Sequence, residues 1–481
     1  MADKRFIEKQ LETHGQRHLL AFYDSLPPDR QASLLEQIAA LDLPGLDRLI
    51  ERYVRHTPPS ELRGRIEPPP IIPARPGDAA TAKLREDGRR RGEELIAAGK
   101  VSAFVVAGGH GTRLGYEGPK GCLEATPVAK KPLFQLHAEK ILAASKRYGA
   151  TIPWYIMTSP SNDAVTRAFF RRNRFFGLRD KDVFFLVQGT MPAFDPEGKI
   201  LLAAQDQLAL SPNGHGGSLL ALKASGALAD MAARGVELIS YFQIDNPLVK
   251  AVDPLFLGLH DLQGSRMSAK ILPKRDPLEK LGNVCLADGK MTVIEYSDMP
   301  EDLARACAED GRLRFSAGSI AIHVLSRTFV EELTGGGPVE LPYHRALKKV
   351  PFVDAAGQLV KPDKPNALKL EMFVFDALPL ARKAMILETV RSEEFSPIKN
   401  ATGEDSLASS LHDQVRRAAA WLEQAGVRVP RDADGQVAAA IEISPLFADS
   451  PEELKAKVKD LTIATGDNLY LGSRGQTGGL K

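Results

Sequence analysis

From residue 101 onward, short apolar runs alternate with helix-length stretches, and that alternation leaves few folds open. Strand candidates fall at 103–107, 153–158, 183–187 and 237–244. Each is short and rich in β-branched or aromatic side chains. Helical patterns occupy 132–147, 161–173 and 217–233 between them. Strand and helix in succession predict an α/β fold with a mostly parallel sheet and helices on both faces. Such a sheet takes its ligands at the carboxyl ends of its strands. Two segments fall there: the glycine-rich run after 107, and Asp245-Asn246 after 244.

The flanks read differently. Phe6, Leu11, Leu19, Leu20 and Phe22 mark one helical apolar face, and Leu34, Leu35, Ile38 and Leu41 resume it after Pro27-Pro28. Pro68-Pro-Pro70, Pro73 and Pro76 exclude helix and predict an extended surface segment. Helix is expected again at 81–99. The pair of runs 284–287 and 291–295 around Asp288-Gly289-Lys290 predicts a β-hairpin. Gly335-Gly-Gly337 reads as a surface loop and Gly472–Lys481 as a mobile end. With 481 residues, two or three domains are expected. The division expected is a helical N-terminal region (1–95), a central α/β domain (96–385) and a small C-terminal domain (386–481), where helical patterning returns at 404–425.

Ala107-Gly-Gly-His-Gly-Thr-Arg-Leu-Gly115 is the most informative stretch. Gly108 and Gly109 let the backbone turn sharply and approach a ligand closely, while Arg113 and Lys120 add cations. Exposed N–H groups beside cations suit a polyphosphate, although a sharp turn alone would also explain the glycines. The dinucleotide fingerprint is excluded, since Leu114 stands where its third glycine belongs. A Walker loop is excluded because Lys120 sits between Pro119 and Gly121. Asp245, closing an apolar strand, suits either Mg2+ on nucleotide phosphates or a cap on the next turn. Asn213-Gly-His-Gly-Gly217 is a second glycine cluster opening a helix, with His215 either in a pocket or merely exposed. Lys369 and Lys399 would not be selected by spacing alone.

Bulk properties narrow the class. Lys plus Arg (63) nearly balances Asp plus Glu (61), which argues against a broad nucleic-acid surface. Cys122, Cys285 and Cys307 show no metal or disulfide spacing, as expected of free thiols in the cytoplasm. Neither a signal peptide nor an apolar run of membrane-spanning length is evident, so no membrane association is expected.

These segments, in this order, resemble the UDP-sugar pyrophosphorylases, and most closely the UDP-N-acetylglucosamine branch. The resemblance is carried by 107–115, Pro119-Lys-Gly121, Pro153-Trp-Tyr-Ile-Met-Thr-Ser159, Gln188-Gly189, Gly214-His-Gly-Gly217, Asp245-Asn246 and Glu295-Tyr-Ser297. Lys361-Pro-Asp-Lys-Pro-Asn366, Phe373-Val-Phe-Asp376, Glu394-Phe-Ser-Pro-Ile-Lys-Asn400 and Glu442-Ile-Ser-Pro-Leu446 extend it. It implies a Rossmann-like, GT-A-like nucleotidyltransferase domain with a mixed sheet, and transfer of a uridylyl group from UTP to a sugar 1-phosphate.

By the same resemblance, Val106, Ala107, Gly108 and Gly109, with Arg113 and Lys120, would hold UTP. Gln188 and Gly214 would contact uracil, Asp245 would bind Mg2+, and Lys369 would reach the UTP phosphates. Lys399 would take the sugar phosphate, and Glu295, Tyr296 and Phe375 would line the sugar pocket. Two positions depart from the N-acetylglucosamine branch. His215 replaces an asparagine, as in the UDP-glucose branch, and Ser319 replaces a second. The alternatives implied are a glucose 1-phosphate or broad-specificity uridylyltransferase, or an inactive nucleotide-binding protein.

Overall fold

The computed structural model describes residues 3–56, 64–336, 341–459 and 461–472. The expectations for Gly337 and for 473–481 therefore lie outside the described residues. The chain divides into two compact units, one of 1–63, 188–220 and 340–376, the other of 64–187, 221–339 and 377–481.

The larger unit is built on a ten-stranded mixed sheet. Its strands are β1 (Ile66–Glu67), β2 (Val101–Val106), β3 (Trp154–Thr158), β4 (Val183–Val187), β5 (Leu238–Gln243), β6 (Met267–Pro273), β7 (Asn283–Ala287), β8 (Lys290–Ile294), β9 (Ala317–Ser326) and β10 (Ala384–Glu388). The four strands legible as alternation are parallel neighbours in the order β5-β2-β3-β4. On the other side of β5 the sheet turns antiparallel through β9, which also pairs β6 and β7. β6 in turn runs parallel to β10. Two reversals bring β6 and β10 back to the direction of β2 and β5, so all four strands end on one edge. β2 has its sequential successor β3 on one side and β5 on the other. That reversal is the switch point at which α/β sheets open a crevice.

The predicted hairpin forms: β7 and β8 pair through Asp288 and Gly289, both at positive φ (49° and 78°). Helix Leu133–Tyr148 ends at Gly149 in the left-handed conformation. The helical stretch expected at 217–233 is two helices, Gly217–Ala224 and Ala227–Ala233, because Gly226 adopts φ 80° between them. Helices Ala79–Ala97 and Pro254–Leu262 approach closely. A Cβ on Gly258 would lie 1.8 Å from the Gly88 carbonyl. Val105, Trp154, Ile156, Phe242 and Val324 centre the core of this unit.

The packing groups the chain differently from the expected linear division. The C-terminal segment has its own small core of Trp421, Leu422, Ile441, Leu454 and Leu469. It nonetheless belongs to the larger unit, anchored by the Gln414 amide on the Ala125 carbonyl (2.8 Å) and the Glu442 carboxylate on the Val128 and Ala129 N–H groups. The N-terminal helices belong to the smaller unit, where Ile7, Leu11, Leu34, Ile38 and Leu46 share a core with Phe194, Ile200, Leu368 and Leu370. Gln16 joins the two sequence regions by bonding both the Gly198 carbonyl and the Ile200 N–H. Phe6, expected on the apolar face, is exposed; Ile7 takes that place.

Candidate active site

In the larger unit the glycine loop leaves β2 along a fixed path. The Ala107 N–H still bonds Met157 (2.8 Å), extending the parallel ladder by one residue. The loop then closes on itself, with the Gly111 N–H on Gly118 (3.0 Å) and the Lys120 N–H on Gly109 (3.0 Å). Gly115 sits at φ 71°. Gly121 has no room for a side chain, since a Cβ there would meet the Phe134 ring at 2.2 Å. That contact explains the Pro-Lys-Gly sequence: the glycine seats the loop against the core and aims the lysine before it.

Asn162 braces this turn from beneath. It is fully buried, donates to the Ala107 carbonyl (3.1 Å) and more weakly to the Gly109 carbonyl (3.4 Å), and accepts from the Ser159 N–H (2.8 Å). Sequence reasoning passed it over, since nothing distinguishes it from a turn asparagine.

The Lys120 ammonium reaches the Asp245 carboxylate (3.3 Å) and the Ile398 carbonyl (3.2 Å). The loops after β2, β5 and β10 thus converge at one edge of the sheet. Asn246 reinforces the junction by donating to the Glu394 carbonyl (2.7 Å) and accepting from the Ser396 N–H (3.1 Å). The Ile398 N–H bonds the Asp245 carbonyl (2.9 Å). Beneath them the buried Lys270 ammonium bridges the carboxylates of Asp253 and Glu394 at 2.5 Å each. Lys399 emerges exposed from this platform, over the Phe395 ring. Arg113 is exposed on the glycine loop.

Asp405 was not foreseen. Its carbonyl accepts from the Lys399 and Asn400 N–H groups at φ 55°. Burial raises its carboxyl pKa, Lys399 opposes that shift and Asp245 adds to it. Lys120, Asp245, Lys399 and Asp405 therefore form one charged cluster.

A cavity of about 180 Å³ at the end of β6 is lined by Tyr296, Lys274, Asn283 and Met299. The Lys274 ammonium donates to Asn283 (3.0 Å) and to the Pro277 carbonyl, and burial lowers its pKa. Lys274 is a second residue the sequence reading missed; it ends a strand on the same edge as Asp245. The Glu295 carbonyl accepts from the Asp298 and Met299 N–H groups, forming the turn that presents Tyr296. The Ser319 N–H bonds the Gly282 carbonyl (2.8 Å), next to Asn283.

The smaller unit holds the other candidates. Gln188 donates to the Gly214 carbonyl (2.8 Å). Gly214, at φ 85°, is obligatory, because a Cβ would stand 2.3 Å from the Met372 carbonyl. The cluster is joined to the Lys369 strand (Ala367–Met372) by Gly216 N–H to Met372 and Met372 N–H to Asn213. His215 is held within an aromatic group. It stacks on Phe373 (5.0 Å, 17°), meets Phe375 edge-on (5.6 Å) and accepts at Nδ1 from the Val374 N–H (3.2 Å). That bond places its ring proton on Nε2. His344 stacks on Phe373 as well (4.3 Å) and bonds Asp376 (2.8 Å).

No nucleophilic cysteine is present in either group. Burial pushes the Cys122 thiol up to about 12, so it stays protonated at neutral pH.

Residues 49–425 match the model of the UTP–glucose-1-phosphate uridylyltransferase family. The chain belongs to that family. It is 38% identical to the human UDP-N-acetylhexosamine pyrophosphorylase-like protein 1, over 95% of each chain. It is also 38% identical to the UDP-N-acetylglucosamine pyrophosphorylase of Saccharomyces cerevisiae, over 79% of this chain and 81% of that one. The crystal structure of the Trypanosoma brucei uridine diphosphate N-acetylglucosamine pyrophosphorylase, in complex with inhibitor, superposes with a TM-score of 0.82 at 27% identity, over 95% of each chain. The chain is thus a nucleotidyltransferase of the uridylyltransferase class, with the expected mixed α/β fold. No helix among the described residues is long and apolar enough to cross a membrane.

Proposed function

We propose that the protein forms UDP-N-acetylglucosamine and pyrophosphate from UTP and N-acetylglucosamine 1-phosphate in the cytoplasm. The observation that carries this reading is the convergence of Lys120, Asp245 and Lys399 from three different loops. A sugar phosphate oxygen attacks the α-phosphorus of UTP, and the bond between the α-phosphorus and the bridging oxygen to the β-phosphorus breaks. Pyrophosphate leaves with that electron pair. The nucleophile is already anionic at neutral pH, so positioning and charge compensation carry the rate.

The residues take the following roles. Backbone N–H groups of the Val106–Gly109 turn, with Arg113 and Lys120, hold the triphosphate. Gln188 and Gly214 bind uracil, and Lys369 neutralises UTP phosphate charge. Lys399 holds the phosphate of the incoming sugar. In the larger unit Glu295, Tyr296 and Ser319 are proposed sugar contacts, and in the smaller unit His215 and Phe375 are. Asp245 suits Mg2+, which takes one or two carboxylates and completes its shell with phosphate oxygens and water. Among the described residues no cluster of three or more His, Cys, Asp or Glu side chains offers an all-protein cage. Bound there, Mg2+ would draw charge from the triphosphate oxygens.

A second reading, glucose 1-phosphate as preferred acceptor, is favoured by His215. The test is pyrophosphate release with UTP, Mg2+ and a panel of sugar 1-phosphates. The expected result is a modest preference for the N-acetylated sugar, with glucose 1-phosphate also used. Turnover of glucose 1-phosphate alone, in wild type and in His215→Asn, would replace the first reading by the second. No turnover with any sugar would leave a nucleotide-binding protein.

A further inference from the structure

A second cavity, of about 160 Å³, lies within the larger unit, where helix Leu407–Gln424 and the strand Ala440–Ile443 face helix Leu133–Tyr148. Five cations line it: Arg147, which is paired with Asp449, and four others, Lys140 and Arg417 inside and Arg89 and Lys250 exposed. None of the four has a carboxylate oxygen within 4.0 Å among the described residues. Lys140 instead donates to the Pro247 and Val249 carbonyls, the latter at 2.8 Å. Arg417 donates to the Leu248 and Glu393 carbonyls, both at 3.1 Å, and lies over the Trp421 ring.

The carboxylates that share the cavity are mostly engaged elsewhere. Asp253 is paired with Lys270, Asp449 with Arg147, and Glu442 with the Val128 and Ala129 N–H groups. Beyond ion-pair distance, Glu93 of the lining faces these four cations, Glu394 acts on Lys140, Glu393 and Glu394 act on Arg417, and Asp253 acts on Lys250. Burial lowers the pKa of Lys140, and Arg417 adds to the shift. Carbonyl dipoles compensate a buried cation only in part, so Lys140 and Arg417 face the cavity without an ion-pair partner, beside an aromatic wall.

We propose that this cavity is a binding site for a small phosphate-bearing molecule, separate from the nucleotide loop, with Lys140 and Arg417 as its anion anchors. Arginine and lysine in a partly enclosed pocket are the pair that phosphate recognition uses. The carbonyls they now hold belong to segments 247–249 and 393, which adjoin Asp245-Asn246 and the 394–399 loop. Occupancy would therefore bear on the platform that carries Lys399.

Trp421 makes the proposal directly testable. The chain has two tryptophans, and the other, Trp154, is fully buried in β3. Inorganic phosphate, and separately pyrophosphate, is titrated into the full chain with EDTA in place of Mg2+ to stop turnover, with and without saturating UDP-N-acetylglucosamine, while tryptophan emission is followed. The expected result is a saturable change with at least one of the two anions, lost in Trp421→Phe. Arg417→Gln should weaken the apparent affinity by roughly tenfold or more, the range of a charged hydrogen bond. Should that variant fail to fold, Lys250→Ala is an exposed alternative, expected to weaken binding by about two- to fivefold. The proposal is overturned by no saturable change with either anion, by a change that survives Trp421→Phe, or by one that the nucleotide sugar competes away. Unchanged affinity in both Arg417→Gln and Lys250→Ala would overturn it equally.

Discussion

Replacing Asn162 tests whether the glycine loop is held in place or merely permitted to turn. Its amide stands between two carbonyls and one N–H, so its orientation is set: Nδ2 faces Ala107 and Gly109, Oδ1 faces Ser159. Asn162→Ala removes these contacts and leaves buried backbone groups unpaired. One neutral hydrogen bond is worth about 1 kcal/mol net, and an orphaned buried group costs about 1–3 kcal/mol. The 3.4 Å contact adds little. A loss of about 2–4 kcal/mol in unfolding free energy follows, read by chemical denaturation. Asn162→Asp keeps the volume and the Ser159 bond, but it sets a carboxylate oxygen where Nδ2 lay, 3.1 Å from a carbonyl oxygen. It should be at least as damaging as alanine. It also places a negative charge under the loop proposed for the triphosphate. The fall in kcat/KM for UTP should therefore be larger for Asn162→Asp than for Asn162→Ala, on the order of tenfold to a hundredfold in total. If Asn162→Asp unfolds like wild type with an unaltered KM for UTP, the amide does not brace the loop and the reasoning fails.

Lys399→Ala should leave UTP affinity by calorimetry close to wild type while sugar phosphate turnover falls by about 2.7–4 kcal/mol in transition-state terms; lost UTP affinity with an unchanged sugar phosphate KM would reverse its role. Asp245→Asn keeps the shape and removes the charge beside Lys120, so Mg2+-dependent turnover should largely vanish with the fold intact by circular dichroism. Near-normal rates would rule out a metal role. The buried His260 and His323 are held down to about 4 by burial, against about 6.5 when unfolded. Below pH 6.5 the unfolded chain takes up protons that the folded chain refuses, so stability is lost as pH falls from about 6.5 toward 4, by up to about 3 kcal/mol for each histidine. A melting temperature that is flat between pH 7 and pH 5, or equally steep in His323→Leu, would contradict this.

What the sequence made legible was what its own composition encodes. The 107–115 loop was readable because its glycines and cations are its chemistry, and the β2–β5 alternation was readable because buried parallel strands are uniformly apolar. The grouping of 1–63 with 188–220 and 340–376 was not, since a core shared by three distant segments leaves no local period. Asn162, Lys274 and Asp405 escaped for another reason. Each has an ordinary residue type, and its environment is supplied by other elements: Asn162 by β2, Lys274 by Asn283 of β7, Asp405 by the charges of Asp245 and Lys399.

His215 shows how far one such environment changes an argument. Read as a side chain alone, a neutral histidine offers a sugar one donor and one acceptor, fewer polar contacts than the amide of the asparagine found at this position in the N-acetylglucosamine branch. In the structure its acceptor is engaged by the Val374 N–H and its ring faces are taken up by Phe373 and the edge of Phe375. Phe373 is in turn fixed by His344, which bonds Asp376. The residue is therefore part of a rigid aromatic wall with a single ring donor, at Nε2. Such a wall favours an apolar substituent, and an acetyl methyl packed against it is worth about 1 kcal/mol. His215→Asn would restore polar reach but also remove the stack on Phe373. It follows that the histidine shared with the glucose branch does not by itself exclude the N-acetylated sugar. In the role proposed for it at the sugar, it exchanges polar discrimination for shape.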